Sequence, residues 1–171
     1  MVHIYCGDGK GKTTAAMGLA LRSAGRGKRV LIAQFLKGAD SGERLALSRL
    51  PGVELPELPE RVRFSFQMTQ EERREAAQRF LDLCEHCRRR LAAGQAELVV
   101  LDEAFAAVNT GLLPLEALLQ VLDAAPEGAE LVLTGRNPAP ELLARGDYIT
   151  EMRCLRHPYQ RGVQARPGIE Y

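Results

Sequence analysis

Apolar and polar positions alternate in blocks along the chain. Val2-His3-Ile4-Tyr5-Cys6 is a short β-favouring run that ends in glycines. Residues 13–24 then read as a helix, with Gly25 and Gly27 as breakers. Arg29-Val30-Leu31-Ile32-Ala33-Gln34-Phe35 is mostly apolar, the pattern of a strand covered on both faces. Residues 37–59 carry a short helical signal at 43–49 and then prolines, and 62–66 reads as a further strand. The best helix follows. Thr69-Gln70-Glu71-Glu72 is a capping box, and Ala77, Phe80, Cys84, Cys87 and Leu91 recur on one face until Gly94 ends it. Leu98-Val99-Val100-Leu101 is a buried strand. Pro114 opens a helix to about Leu122, its fixed φ suiting the first turn. A strand at 130–134, a short helix at 140–144 closed by Gly146, a strand at 148–152 and an irregular tail from His157 complete the pattern. Strands alternating with helices predict a P-loop NTPase-like α/β fold: a mostly parallel sheet flanked by helices on both faces, as one domain over 1–171.

Composition narrows the function. The 171 residues are 46% hydrophobic and 26% charged, an ordinary globular balance. With 23 basic against 22 acidic side chains the net charge is +1, so no overall basic field points to nucleic acid or an anionic membrane. No apolar run is long enough to span a bilayer. The N-terminus has no secretory pattern, structure begins at once with Val2, and a cytoplasmic protein is expected. The four cysteines, Cys6, Cys84, Cys87 and Cys154, form no dense disulfide framework.

The chemistry concentrates in Gly7-Asp8-Gly9-Lys10-Gly11-Lys12-Thr13-Thr14, set between a strand and a helix. A helix N-terminus offers unpaired N–H groups and a positive dipole end to a polyphosphate. Glycines let the backbone approach the phosphates, Lys12 adds a point charge, and Thr13 offers a hydroxyl to Mg²⁺. The common Walker loop has glycine five residues before its Gly-Lys pair. Here that position is Cys6, and a second lysine, Lys10, is present. The strand at 98–101 ends in Asp102-Glu103, at the sheet edge where open α/β folds place ligands. Either carboxylate suits Mg²⁺, directly or through water. By the same edge rule Arg136, in Thr134-Gly135-Arg136, belongs near the phosphates, where an arginine stabilises negative charge on a leaving group. Cys84-Glu85-His86-Cys87 invites a metal reading, but both cysteines fall on an apolar helix face and no second ligand pair lies at zinc spacing. His157 in the tail is within reach of a ligand or is structural. No nucleophile–base pair stands out.

Together these motifs resemble the P-loop ATP:corrinoid adenosyltransferases. The resemblance runs almost end to end. It rests on 7–16; Gln34-Phe35 with Lys37-Gly38; Gly42-Glu43; Thr69-Gln70; 99–103; Leu113-Pro114-Leu115; Thr134-Gly135-Arg136; Asp147 with Thr150-Glu151-Met152; His157-Pro158; and Gly162, Ala165 and Gly168-Ile169-Glu170-Tyr171. The resemblance implies transfer of the 5′-deoxyadenosyl group of ATP to the cobalt of a reduced corrinoid, with triphosphate leaving intact. It implies a need for Mg²⁺, ATP lying in the loop in the reverse sense to ordinary P-loop enzymes, a homodimer, and an electron-donating reductase as partner. Co(I) is itself the nucleophile, so the protein's tasks are in-line positioning and stabilising the departing triphosphate, for which Lys10, Lys12, Arg136 and the loop amides are suited. The family also uses a Phe-x-Trp pair to help remove the corrinoid's lower axial ligand. Phe64-Ser65-Phe66 is the nearest match, one residue out of step, in a chain with no tryptophan. These phenylalanines are either that blocking surface or strand core. Some members carry an N-terminal extension that folds over the corrinoid, whereas this chain begins at the first strand. The competing readings are an ordinary P-loop enzyme that forms ADP, and a non-enzymatic carrier of ATP or corrinoid.

Overall fold

Six strands and six α-helices follow one another in the computed structural model, which describes residues 1–60, Arg63 and residues 65–170. They are β1 (Val2–Cys6), α1 (Lys12–Ala24), β2 (Val30–Gln34), α2 (Gly42–Leu47), β3 (Val53–Glu54), α3 (Gln70–Ala92), β4 (Leu98–Asp102), α4 (Ala104–Asn109), α5 (Leu115–Asp123), β5 (Glu130–Thr134), α6 (Pro140–Leu143) and β6 (Tyr148–Glu151). Single 3₁₀ turns lie at Ser65–Gln67 and Pro158–Arg161. The sheet order is β3-β2-β4-β5-β1-β6, and every pairing is parallel. All strands therefore present their C-terminal ends to one edge.

The period-2 alternation of each strand divides the core into two layers. Val30, Ile32, Leu98, Val100 and Val132 face Ala16, Met17 and Ala20 of α1. Leu31, Ala33, Val99, Leu101, Leu131 and Leu133 face the opposite layer, where α3, α4 and α5 supply Phe80, Cys84, Cys87, Leu91, Phe105 and Leu118. Small residues on α1 let that helix lie close to the sheet, which holds the loop before it against the strand ends. Phe35 and Phe80 meet edge-to-face at 5.2 Å and pin α3 to the end of β2.

Local signals hold where they are strongest. The α3 capping box is complete: Thr69 Oγ1 accepts from the Glu72 amide at 3.2 Å, and Glu72 Oε2 accepts from the Thr69 amide at 2.8 Å. Its buried face carries Phe80, Cys84, Cys87 and Leu91 as expected, with Ala76 buried at its start and Ala77 only half-buried. Pro114 is the N-cap of α5 with extended backbone, so the helix proper starts at Leu115. Two elements have no strong sequence signal: β3, only two residues long, and α4, which turns directly out of β4. The strand expected at 62–66 is corrected. Val62 and Phe64 lie outside the described residues, while Ser65 and Phe66 are in a 3₁₀ turn. The outer edge of β2 takes Val53–Glu54 against Val30 and Leu31, and the Ser65 carbonyl accepts from Arg73 on α3 instead of from a strand.

Candidate active site

The glycine loop leaves β1 at Cys6 and turns through Gly7 at φ 102°. A Cβ on Gly7 would lie 2.4 Å from the Met152 carbonyl oxygen, and one on Gly9 2.7 Å from the same atom. That oxygen accepts from the Gly9 amide at 2.7 Å. Asp8 Oδ1 accepts from the Cys154 amide at 3.0 Å, which, more than the Arg136 and Lys12 charges, holds the Asp8 carboxyl below its ordinary range. The chain leaving β6 thus braces the loop from behind. Cys6 is still in β1, paired with Glu151, so a side chain costs nothing where the common Walker loop has glycine; Gly7 takes the left-handed turn instead. Gly11, at φ 117°, caps α1 with no side-chain hydrogen bond to the helix, so the first amides of α1 face an open cavity.

This cavity, of about 870 Å³, is lined by the loop from Asp8 to Thr14 and by Lys37, Glu43, Glu103, Arg136, His157 and tail residues Gly168, Ile169 and Glu170. Lys12 is 8% exposed, and its Nζ donates to the Gly9 carbonyl at 2.7 Å. Burial lowers its pKa, Glu103 opposes that shift, and Arg136 adds to it. Lys10 is exposed and donates to the Ile169 carbonyl at 2.7 Å. The Arg136 guanidinium reaches the Asp8 carbonyl at 3.5 Å. Three cationic side chains therefore converge where a polyphosphate would lie along the loop.

Asp102, fully buried at the end of β4, lies behind the opposite wall and ties its residues together. Its Oδ1 accepts from Thr13 Oγ1 at 2.8 Å and from Thr134 Oγ1 at 2.7 Å. Its Oδ2 accepts from Lys37 Nζ at 2.9 Å and Gln34 Nε2 at 3.2 Å. Burial works to lower the Lys37 pKa, but Asp102 and Glu43, the latter at 3.1 Å, outweigh it and the ammonium is held up. Glu103 turns out of β4 at φ 58°, a left-handed conformation rare for glutamate, with its amide held by Thr134 Oγ1 at 2.9 Å. Its carboxyl pKa is raised by burial and then by the Asp102 charge, against the pull of Lys37, Lys12 and Arg136. Glu103 and the Thr13 hydroxyl reach the cavity, with Asp102 accepting from that hydroxyl behind them; such hard oxygen donors fit Mg²⁺ with phosphate and water completing its shell. The non-glycine residues of positive φ among those described, Leu36, Glu103 and Asn137, all follow the C-terminal ends of strands. Backbone strain is stored along the edge that carries the site.

The structure brings Gly7, Asp8, Gly9, Lys10, Gly11, Lys12, Thr13, Thr14, Asp102, Glu103 and Arg136 to this one edge. It does not bring Phe66 into the cavity lining. Phe66 is 81% exposed, which removes the strand-core alternative for this ring; Phe64 lies outside the described residues. Cys84 and Cys87 are buried in α3, with burial pushing the Cys84 thiol up to about 12 and the Cys87 thiol further in the same direction. Cysteines in that state are core residues. Lys37, Glu43 and Gln34 were not singled out by chemical type, although they follow or end β2, and the strand-edge rule that found Asp102 applies equally to them. The tail residues Gly168, Ile169 and Glu170 had no chemical signal of their own and entered only through the family resemblance, whereas His157, read as within reach of a ligand, does line the cavity.

A family model described as "ATP:corrinoid adenosyltransferase BtuR/CobO/CobP" matches residues 1–171. The "Corrinoid adenosyltransferase" of Escherichia coli (strain K12) is 36% identical over 172 residues, covering 100% of this chain and 85% of that protein. The "Corrinoid adenosyltransferase CobA" of Salmonella typhimurium is likewise 36% identical, with the same coverage of 100% and 85%. The "Corrinoid adenosyltransferase" of Pseudomonas aeruginosa is 33% identical, covering 98% of this chain and 82% of that protein.

Proposed function

The chain belongs to the ATP:corrinoid adenosyltransferase family and carries that activity in adenosylcobalamin synthesis, and from that premise we propose how its residues divide the work. The cobalt of the reduced corrinoid attacks C5′ of ATP with its electron pair. The Co–C bond forms, the C5′–O5′ bond breaks, and the leaving oxygen departs as part of triphosphate. The negative charge that develops there is the catalytic problem, and the observation that carries the reading is the convergence of Lys10, Lys12 and Arg136 on the cavity in front of the α1 amides. Fixed donors aimed at developing charge lower a barrier without reorganising. ATP lying in reverse along this loop puts its triphosphate under those cations and leaves C5′ at the open mouth.

Thr13 and Glu103, which line the cavity, would hold Mg²⁺ against the phosphates, with Asp102 behind them accepting from the Thr13 hydroxyl and so orienting its oxygen toward the metal. Bound there, Mg²⁺ supplies charge neutralisation and orientation of the triphosphate. Lys37 holds Asp102 in place through an ion pair, and Thr134 fixes both Asp102 and the Glu103 amide. The exposed ring of Phe66 is suited to lie against a large apolar macrocycle and to exclude its lower ligand. An external reductase supplies the electron that makes Co(I). Among the described residues no helix is long and apolar enough to cross a membrane, and we place the enzyme in the cytoplasm as a homodimer. Sedimentation equilibrium should give about twice the 18.8 kDa chain mass.

Two measurements test this reading together. Mixing protein, ATP, Mg²⁺ and cob(I)alamin should yield adenosylcobalamin and triphosphate in equal amounts; ADP and phosphate in their place would return the chain to ordinary phosphoryl chemistry. Phe66→Ala should lower activity from cobalt(II) with a weak reductant by at least about tenfold, or more than ~1.4 kcal/mol of barrier. Activity from chemically prepared Co(I) should change far less. Equal losses in the two assays would make Phe66 a general contact rather than a ligand-blocking ring.

A further inference from the structure

The ammonium of Lys37 stands among the oxygens that surround the metal seat. Leu36, just past β2, takes φ 53°, a left-handed conformation rare for leucine. Lys37 follows that turn, and its side chain is 25% exposed. Its Nζ lies 2.9 Å from Asp102 Oδ2, 3.1 Å from Glu43 Oε1 and 3.5 Å from Thr13 Oγ1. Its charge also acts on Glu103. The Thr13 hydroxyl gives its proton to Asp102 Oδ1 at 2.8 Å, so toward Lys37 it is an acceptor, through the same oxygen that would hold Mg²⁺. Asp102 is fully buried, and its other donors, the side chains of Thr13, Thr134 and Gln34, are neutral. Among the described residues, Lys37 is the cation paired with it.

We propose that Lys37 is a positioning residue whose ammonium serves as the resident cation of the nucleotide-free site, closing the metal seat to a free divalent ion so that metal enters only together with triphosphate. The proposal rests on the reading that Mg²⁺ sits at Thr13 and Glu103. A buried carboxylate without a counter-charge is costly. Asp102, Glu43 and Glu103 stripped of Lys37 would offer several hard oxygens and a surplus of negative charge, the conditions that draw a divalent cation. Lys37 removes both the surplus and the room. Thr13 Oγ1 is 3.5 Å from Nζ, and a Mg²⁺–oxygen bond is about 2.1 Å, so the two cations would stand no more than about 6 Å apart. Like charges that close, in a partly buried site, repel strongly. Triphosphate reverses the balance, because its oxygens bring several negative charges to the cavity side of the seat. The ammonium then keeps Asp102 and Glu43, while the metal takes Thr13, Glu103 and phosphate. Lys37 thereby sets the order of loading: metal and nucleotide arrive as one complex.

Titration of the full chain with Mn²⁺ in the absence of nucleotide, read by the electron paramagnetic resonance of the free ion, tests this. Lys37→Gln removes the charge and keeps an N–H donor for the carboxylates. It should bind Mn²⁺ at least about tenfold more tightly than the wild type. Lys37→Arg, which keeps the charge, should bind as weakly as the wild type. Adding Asp102→Asn to Lys37→Gln should abolish the gain, because the surplus negative charge is gone. Thermal melts give a second readout: millimolar Mg²⁺ should raise the Tm of Lys37→Gln and leave that of the wild type unmoved. Equal Mn²⁺ affinity in the wild type and Lys37→Gln overturns the proposal. So does tight binding by Lys37→Arg, or a gain that survives Asp102→Asn. A Lys37→Gln chain that stays unfolded in millimolar Mg²⁺ overturns it as well, since the seat then does not accept a divalent ion in place of the ammonium. Neither ATP nor corrinoid enters these titrations. Their failure leaves Thr13 and Glu103 as ligands of nucleotide-bound metal, and formation of ADP in the transfer assay would leave the resident cation standing.

Discussion

At the scale of single residues, the site is built from charges that are costly to keep and useful once substrate arrives. Lys12 is an ammonium inside the loop that burial pushes toward neutrality, with one carbonyl, that of Gly9, as its bonded partner. In the function proposed above, triphosphate relieves that cost, and the relief is greatest when the leaving oxygen is most negative. Lys12→Ala should therefore lower turnover at least tenfold, more than ~1.4 kcal/mol of barrier, with little loss of folding stability. Steady-state kinetics and a thermal melt read the two effects separately. Glu103 makes the complementary case. Its folded pKa is raised, so the folded state binds a proton more tightly than the unfolded chain. Stability from that proton is present below the unfolded value and is lost as pH rises through the folded one. Ionising Glu103 therefore costs folding stability. Glu103→Gln should raise Tm at pH 7, by about 2–4 °C for each kcal/mol gained. The gain should fade below about pH 4.3, the ordinary glutamate value, where the wild type is protonated in both states. The same substitution should raise the Mg²⁺ concentration needed for half-maximal activity. A variant no more stable than wild type at pH 7 would show that nearby cations already compensate the charge.

At the scale of elements, the phosphate loop is shaped as much by the chain after β6 as by its own glycines. Met152 follows β6 and places its carbonyl oxygen under both Gly7 and Gly9. Gly9 needs no left-handed backbone; what it needs is the absence of a Cβ. Gly9→Ala would push that methyl to within 2.7 Å of a backbone oxygen and force the loop off the brace. ATP affinity measured by calorimetry should fall at least about tenfold, or ~1.4 kcal/mol, while Tm drops modestly because the loop lies outside the core. Unchanged affinity would mean that the brace moves with the loop. Element identity was legible wherever a run was long and periodic. The capping box starts α3 where Thr69 and Glu72 said it would, and the mostly apolar run of β2 is buried along its whole length. It was not legible for β3, whose two residues form a strand only because β2 offers them an edge, nor at 62–66. A β-favouring run does not record whether a strand edge awaits it.

At the scale of the whole molecule, all-parallel pairing brings the loop, Asp102 and Arg136 together, although β1, β4 and β5 are far apart in sequence. The amino-acid sequence alone determined the fold class, the loop and its two lysines, the acidic strand end and the family. Each of these is written in contiguous residues: strand periodicity, glycines at fixed spacing, carboxylates ending an apolar run. Only the tertiary structure decided that Asp102 is saturated by Thr13, Thr134, Lys37 and Gln34, and that Lys10 is held by the tail. It also decided that Phe66 is a surface ring rather than a core one, and that Arg44 joins Gln34 to the Pro56 carbonyl. Those facts depend on side chains that meet across many residues of chain. Their energies come from distance and burial, which residue type and spacing along a strand or helix do not encode.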